Sequence, residues 1–391
     1  MRKILTILAV LACAMSCIYP YEAELEDGGL GGNLVVEGDI IVGAASYFNL
    51  SYLSPMGEDV QEYVRQAMVW IENNAGGRYV GDRTQNPGEW MVDLTGAPAD
   101  AEYRLCISMQ NGREYESSWS RAAGDCLIDD IHFRVSDKSP RSVTIYTSLH
   151  SEQNNKHFRY RYTEDWEYTS IERAWGHYVT EGPGSLDGGS KLDTVEFFVD
   201  NDNTYYCWKH YESRGINLAT TEIMGVNKLE DWPLLRYSCT DDRLCALYRL
   251  RLIVYAIPEE CYRYLEHVRD MSEYDGNLFA PMPSEVRGNL RCTTDDDEIV
   301  YGYVGVAYPA TAEFYMSSTD IGNIYQRPVH ELEPAETPAE DEWSYYYYNK
   351  VWRPYSHDPF AGWSWLPARC VDCRFAGGTK NRPDNWPTDH Q

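Results

Sequence analysis

Apolar and polar residues alternate over short stretches from Leu34 onward, which is the period of half-buried strands. Leu34-Val35-Val36-Glu37-Gly38-Asp39-Ile40-Ile41-Val42 and Ala67-Met68-Val69-Trp70-Ile71 read as strands. Tyr103-Arg104-Leu105-Cys106-Ile107-Ser108-Met109 alternates, meets Asn111-Gly112, and resumes as Arg113-Glu114-Tyr115-Glu116-Ser117. Asn-Gly between two such runs predicts a hairpin in which both turn residues take positive φ. Short strands separated by turns predict an immunoglobulin-like β-sandwich over residues 34–136.

Asp137-Lys138-Ser139-Pro140 marks a boundary. A second β-rich domain, residues 137–330, has strand-like runs at 142–148, 194–199, 205–211, 247–255 and 299–307. One helix is expected near 258–273. Pro258 suits its first turn, Cys261, Leu265, Val268 and Met271 recur at helical spacing, and Gly276 ends it. That stripe is core packing. Residues 331–391 start as an acidic linker with Pro334 and Pro338 and become rich in Trp and Cys, with Trp352, Trp363, Trp365 and Trp386. So many aromatics are expected to pack back on the second domain. The fold class expected is mainly β, a sandwich followed by a β-rich domain with one helix.

The start of the chain follows a different pattern. Arg2 and Lys3 precede the apolar run Ile4 to Leu11, and small residues lead to Ala14-Met15-Ser16-Cys17. This is the layout of a secretory signal over residues 1–16, too short to span a bilayer. Cys17 is the expected lipid acceptor, and Val10-Leu11-Ala12-Cys13 makes Cys13 the alternative. Residues 17–33 carry Glu22, Glu24, Glu26 and Asp27 and then glycines, an acidic, flexible tether. The membrane is therefore an expected partner through the lipid alone.

Composition narrows the partners. The 391 residues carry a formal charge of −27, and a surface that acidic repels nucleic acid. The length favours two domains. With 32 Tyr and 12 Trp, the chain has aromatic side chains suited to half-buried strands or to binding surfaces.

Taken together, these segments resemble a lipoprotein family of Bacteroidota defined by a domain of unknown function, number 4249. The resemblance runs through Cys17 with Tyr19-Pro20-Tyr21, Leu34-Val35-Val36-Glu37-Gly38, the hairpin from Tyr103 to Ser117, Glu164-Asp165-Trp166-Glu167-Tyr168, and Cys207-Trp208. It continues through Gly215 to Ala219, Asp231-Trp232-Pro233-Leu234, Leu278 to Ser284, Gly288-Asn289 and Gly302-Tyr303-Val304. It looks closest at Cys370-Val371-Asp372-Cys373-Arg374, Gly377-Gly378, Pro383 and Trp386. The resemblance implies an envelope lipoprotein associated with outer-membrane transporter systems, favours Cys17 as the anchor, and carries over no catalytic residue.

Of the 11 cysteines, Cys13 and Cys17 belong to the start, and an odd number remains. Export permits disulfides. Cys370 and Cys373 allow a local bridge, one half of two longer bridges, or half of a zinc site for which Cys207 and His210 are the nearest ligands by type. Cys239 and Cys245 flank a short polar loop, and Cys106 and Cys126 are placed to staple the first domain. No metal or cofactor is expected.

Catalytic signatures fail on spacing. Ser185 lacks the glycines of a nucleophile elbow. His330-Glu331 meets Pro334 where a metalloprotease helix needs its second His. Asp200-Asn201-Asp202-Asn203-Thr204 places Tyr205 where a calcium loop needs Gly. Asp193-Thr194-Val195 resembles a short O-glycosylation motif at Thr194. The expected function is therefore a non-catalytic binding or accessory lipoprotein of the outer membrane, facing outward and linked to a TonB-dependent transporter or nutrient uptake. Its possible ligand is a glycan or peptide. A hydrolase of envelope glycans or peptides and a surface-fibre subunit are the alternatives.

Overall fold

The computed structural model describes residues 32–53, 61–179, 194–198, 204–273, 287–327 and 334–387. Alternation along the first strands sorts side chains onto two faces, and the inward faces meet. One sheet runs Leu34–Gly38, Ala45–Tyr52, Glu89–Asp93, Asp82–Arg83. The other runs Leu290–Cys292, Glu114–Ser117, Tyr103–Met109, Ala67–Asn73, Arg78–Val80. Leu34, Val36, Phe48 and Leu50 of the first sheet and Val69, Ile71, Leu105 and Ile107 of the second lie in one core, each at most 1% exposed. At roughly 1.5–3 kcal/mol for each fully buried large apolar side chain, this interface supplies most of the drive for the first sandwich.

The Asn111-Gly112 hairpin forms with a different loop. Met109 N donates to the carbonyl of Arg113, which leaves three residues in the turn, and Gly112 (φ 85°) takes the left-handed conformation while Asn111 does not. A three-residue loop needs one such residue near its end rather than two.

This sandwich is not made from residues 34–136 alone. Leu290–Cys292 pairs antiparallel with Glu114–Ser117, Tyr301 bridges Val35, and Val306–Ala307 runs parallel to Ile40–Ile41. The chain leaves near Ser120 and returns after the helix to seal the first body. Gly302 (φ 131°) makes the return possible: a Cβ there would sit 2.1 Å from the Val36 carbonyl oxygen. The run at 299–307 accordingly forms a strand only at Val306–Ala307.

The second body is also a sandwich. Leu127–Val135, Ser142–His150 and Lys228–Ser238 form one sheet. Tyr206–Glu212, His157–Thr169, Leu247–Ala256 and Ala310–Ser317 form the other, with Leu218–Thr220 also on His157–Thr169. Val143, Ile145 and Leu149 face Phe158, Trp166, Leu250 and Leu252 across it. The expected boundary at 137–140 is instead the turn between Leu127–Val135 and Ser142–His150, with Ser139–Pro140 cis. Ile128, Ile131 and Phe133 of the preceding strand pack against the same core as Val143, Ile145 and Leu149. The architecture is mainly β, as expected.

The helix Glu259–Glu273 starts where Pro258 predicts, with Tyr262 N donating to the Pro258 carbonyl. Cys261 and Leu265 are buried against Tyr255, Ile257 and Ala307, so the helix closes the junction of the two sandwiches. Gly276 lies outside the described residues.

At that junction a buried ion pair joins the bodies. Arg159 Nη1 donates to Asp39 Oδ2 at 2.5 Å, Tyr255 Oη donates to the same oxygen at 2.6 Å, and Gly305 N reaches Oδ1 at 3.3 Å. Asp39 is 4% exposed and Arg159 8%. Removing one member of such a pair strands the other in low dielectric. Arg159→Met is expected to destabilise the protein by about 3–5 kcal/mol, read as a lower urea midpoint. The double variant Asp39→Leu, Arg159→Met should lose less than the two single losses added; full additivity would show that the pair is not coupled.

Candidate functional site

The strand His157–Thr169 stays paired to its end with Tyr206–Glu212, and the chain after it forms the hairpin Gly176–Val179 with Thr194–Phe197. The Trp-rich segment adds the hairpin Trp352–Asp358 with Gly362–Pro367. Trp175 N donates to the Tyr355 carbonyl and Glu172 N to the Cys370 carbonyl, which stitches the two together. Tyr178, Trp343, Tyr346, Trp352, Trp363 and Trp365 form a separate aromatic core. Most Trp of the segment therefore fill a core rather than line a surface. Val351 (φ 58°) makes the tight reversal into the hairpin. Glu336 accepts from the Tyr346 hydroxyl and, at 3.0 Å, from Lys350 Nζ, tying down the strap before it.

The tail then crosses the outer face of the second sandwich. Cys373 bonds to Cys207, and Thr379 pairs with Trp208. Arg249, held by two bonds to Asp165 Oδ2 at 2.7 and 3.1 Å, also donates to the Asp384 carbonyl. Trp386 Nε1 donates to Glu167 Oε2 at 3.2 Å, and the ring packs with Trp208 and Leu247.

These contacts decide the cysteine alternatives. Cys207 and Cys373 are partners, so neither is available to zinc, and His210 instead lies 2.7 Å from Asp165. Cys370 is buried outside the bridge. Cys239 and Cys245 flank Asp242–Leu244 but remain thiols: Cys239 faces Gln326, and Cys245 lies 3.4 Å from Thr169 Oγ1. Cys106 lies on the strand Tyr103–Met109 of the first sandwich, whereas Cys126 packs with Leu149 and Phe158 in the second; both are free thiols and form no staple. Burial pushes both thiols up to about 12. Thr194 opens its strand in an exposed position. Cys13, Cys17, Ser185, His330, Glu331 and the residues 200–203 lie outside the described residues, as does the 278–284 motif.

The turn at residues 368–380 sits among three concavities. One, of about 230 Å³, is lined by His177, Tyr178, Tyr347, Arg353, Arg374 and Lys380 among others. A second holds Arg243, Arg327 and Arg369 with Tyr168, Tyr325 and Phe375. The third shares Arg369 and Phe375 and adds Lys350 and Glu336. Across the three, seven Lys or Arg meet four carboxylates, Asp241, Asp242, Glu336 and Asp372, the reverse of the balance in the whole chain.

Within the first concavity the cations differ. Arg374 is committed to Asp372, with bonds at 2.6 to 3.1 Å, and Lys380 donates to the Tyr206 carbonyl at 2.7 Å. Arg353 Nη1 donates to the carbonyls of Trp352 and Tyr347 at 2.8 and 3.3 Å, and the guanidinium rests 3.9 Å from the Tyr347 ring centre and 5.2 Å from that of Phe375. No carboxylate among the described residues takes a hydrogen bond from it. Burial, reinforced by the nearby Arg374 cation, holds its pKa below the ordinary arginine value. His177, on the same wall, has a buried Nδ1 without a hydrogen-bond partner among the described residues. This cluster was missed in the sequence, although a signal existed. Between Trp343 and Pro383 there are six Lys or Arg and only two Asp, in a chain of net charge −27.

Two β-sandwiches with a disulfide-fastened aromatic cap define the class of protein. The model of the family described as a domain of unknown function (DUF4249) matches residues 18–313, more than half of the chain, and the chain belongs to that family. The match ends before the Trp-rich segment, where the sequence resemblance looked closest. No curated protein matches the chain. Among solved structures, a two-domain fibronectin type III segment from chicken tenascin aligns at 10% identity over 73% of this chain and 99% of that one, with a TM-score of 0.17.

The bridge closes a long loop of sequence separation 166, so its loss frees much chain. The double variant Cys207→Ser, Cys373→Ser is expected to lose about 2–5 kcal/mol, with a lower melting temperature and earlier tryptic cleavage after Lys380. Unchanged cleavage would mean that the tail is held without the bridge. The Tyr346 hydroxyl and the Lys350 ammonium hold the Glu336 carboxyl below its ordinary 4.5. A depressed carboxylate contributes stability above the unfolded value and loses it as pH falls through the folded one. Acidification below about pH 4.5 should therefore loosen the strap before the rest unfolds, read as a shift in Trp emission that Glu336→Gln abolishes.

Proposed function

We propose that the chain is a non-catalytic, lipid-anchored binding or accessory protein of the outer membrane, attached through Cys17 and facing outward. The two sandwiches act as a rigid support, and the aromatic cap with its cation-rich concavities is the working face. The observation that carries this reading is where exposed aromatics collect. Trp175, Phe197, Tyr345, Tyr348, Phe360 and Phe375 belong to the cap or its rim, against Tyr47, Trp119 and Tyr315 elsewhere among the described residues. Phe360, at the tip of the Trp-rich hairpin, is 100% exposed, and Asp358 fixes the turn beneath it by accepting from the backbone of Phe360 and Ala361. Aromatic rings left in water on the cap suit a partner or a sugar ring. The cations beside them add orientation.

The working partner proposed is a TonB-dependent transporter in the same membrane, with the cap presenting a ligand to it. The anchor proposal rests on the residues from Met1 to Cys17, where a basic start, an apolar run and small residues precede the thiol. O-glycosylation at Thr194 is compatible with its exposed place at the start of a strand. Mass spectrometry of protein extracted from native membranes is expected to find a diacylated amino-terminal peptide beginning at Cys17, and crosslinking in those membranes should recover the transporter. An unmodified amino-terminal peptide together with crosslinking that recovers no transporter would sink the reading.

A further inference from the structure

We propose that the concavity beneath the two hairpins binds an acidic sugar, a ring bearing one carboxylate or sulfate, with that oxyanion held by the guanidinium of Arg353. The inference rests on the binding-protein reading above and names the ligand class.

Arg353 is the centre of the argument. Its Nη1 is spent on the carbonyls of Trp352 and Tyr347, which fixes the fork in place. Nε and Nη2 have no acceptor among the described residues. A partly buried cation in that state is held in readiness for an anion, because a guanidinium removed from water gains most from a planar, two-toothed acceptor. Carboxylate and sulfate both offer one. The carboxylate nearest at hand, Asp372, is 1% exposed and already takes three hydrogen bonds from the Arg374 side chain.

Size and lining select the rest of the ligand. About 230 Å³ lies below the roughly 300–1,000 Å³ usual for ligand clefts. The space takes one ring and its acid group, not a folded partner or a helix. Tyr178, Phe198 and Tyr347 give the space aromatic walls for the apolar side of a sugar ring, and His177 and Thr204, whose hydroxyl donates to the Val371 carbonyl and can still accept, stand for its hydroxyls. The buried, unpartnered Nδ1 of His177 is a second polar group on this wall whose need the protein leaves unmet.

The test is calorimetry of the full-length protein in detergent. The probes are galacturonate, a galactose monosulfate, neutral galactose and a mononucleotide. The acidic sugars are expected to bind at least tenfold more tightly than the neutral one, and more weakly as sodium chloride is raised. The stronger of the two reports whether carboxylate or sulfate is the natural group. Arg353→Gln should weaken acidic-sugar binding at least tenfold while leaving neutral-sugar binding unchanged, and Arg353→Lys should restore part of it. Where near-ultraviolet dichroism shows that Arg353→Gln has lost its packing, the acidic-against-neutral comparison on the unaltered protein decides alone. Equal binding of neutral and acidic sugars, no binding of either acid, or tighter binding of the mononucleotide overturns the assignment. If the acids fail while crosslinking still recovers the transporter, only the ligand class falls.

Discussion

Charges buried along the strand His157–Thr169 can exist only where partners reach them from other parts of the chain, and those partners hold the molecule together. Arg159 meets Asp39 of the first sandwich. Glu164, 1% exposed, accepts from the hydroxyls of Tyr237 and Tyr248 and from Arg243 Nε inside the second. Asp165 takes Arg249, and Glu167 takes Trp386. An unpaired charge at any of these places would cost several kcal/mol. Each therefore demands that a remote segment be in position: the Asp39 corner, the loop at Arg243, or the carboxyl-terminal tail.

The alternation of the strand separates these duties. Glu164 and Trp166 point into the second sandwich, whose core holds Trp166, Tyr237 and Tyr248. Asp165 and Glu167 point to the other face, which in a free-standing sandwich would be wet. Here the tail covers that face, with the Trp208–Thr379 bridge, the Arg249 bond to the Asp384 carbonyl and Trp386 as its fastenings, while the disulfide holds the tail at Cys207, the register partner of Tyr168. The Cys207–Cys373 bridge holds Asp372 and Arg374, the sequence neighbours of Cys373, where they line the concavity with Arg353.

Local features were legible in the sequence where local physics decides them. Pro258 and the stripe from Cys261 began the helix correctly, and the alternation of Tyr103–Met109 marked a strand and its hairpin. Features decided by remote pairing were not. A run such as Glu164-Asp165-Trp166-Glu167 reads as polar, yet all four residues are buried, because their partners lie 45 to 219 residues away. The same holds for Leu290–Cys292, three residues that only the edge of the first sandwich makes into a strand. Cysteine pairing failed for that reason as well. Cys106 and Cys126 are near in sequence but lie in different sandwiches, whereas Cys207 finds Cys373 at a sequence separation of 166. The cation-rich face was visible as a local excess of Lys and Arg, and was hidden by averaging charge over the whole chain.

That averaging also sets how far net charge can be trusted. At physiological salt an exposed charge is screened beyond about 8 Å, so a small ligand inside the concavity responds to Arg353, Arg374, Lys380 and Asp372 and hardly to the acidic body. A long polyanion is different. It must lie along a surface where acids outnumber cations, 61 to 34 over the chain, and each further unit adds repulsion. The acidic composition is therefore compatible with a site for a short acid. It makes the site selective, because only an anion small enough to fit wholly within the cation-rich patch gains from Arg353 without meeting the acidic surface around it.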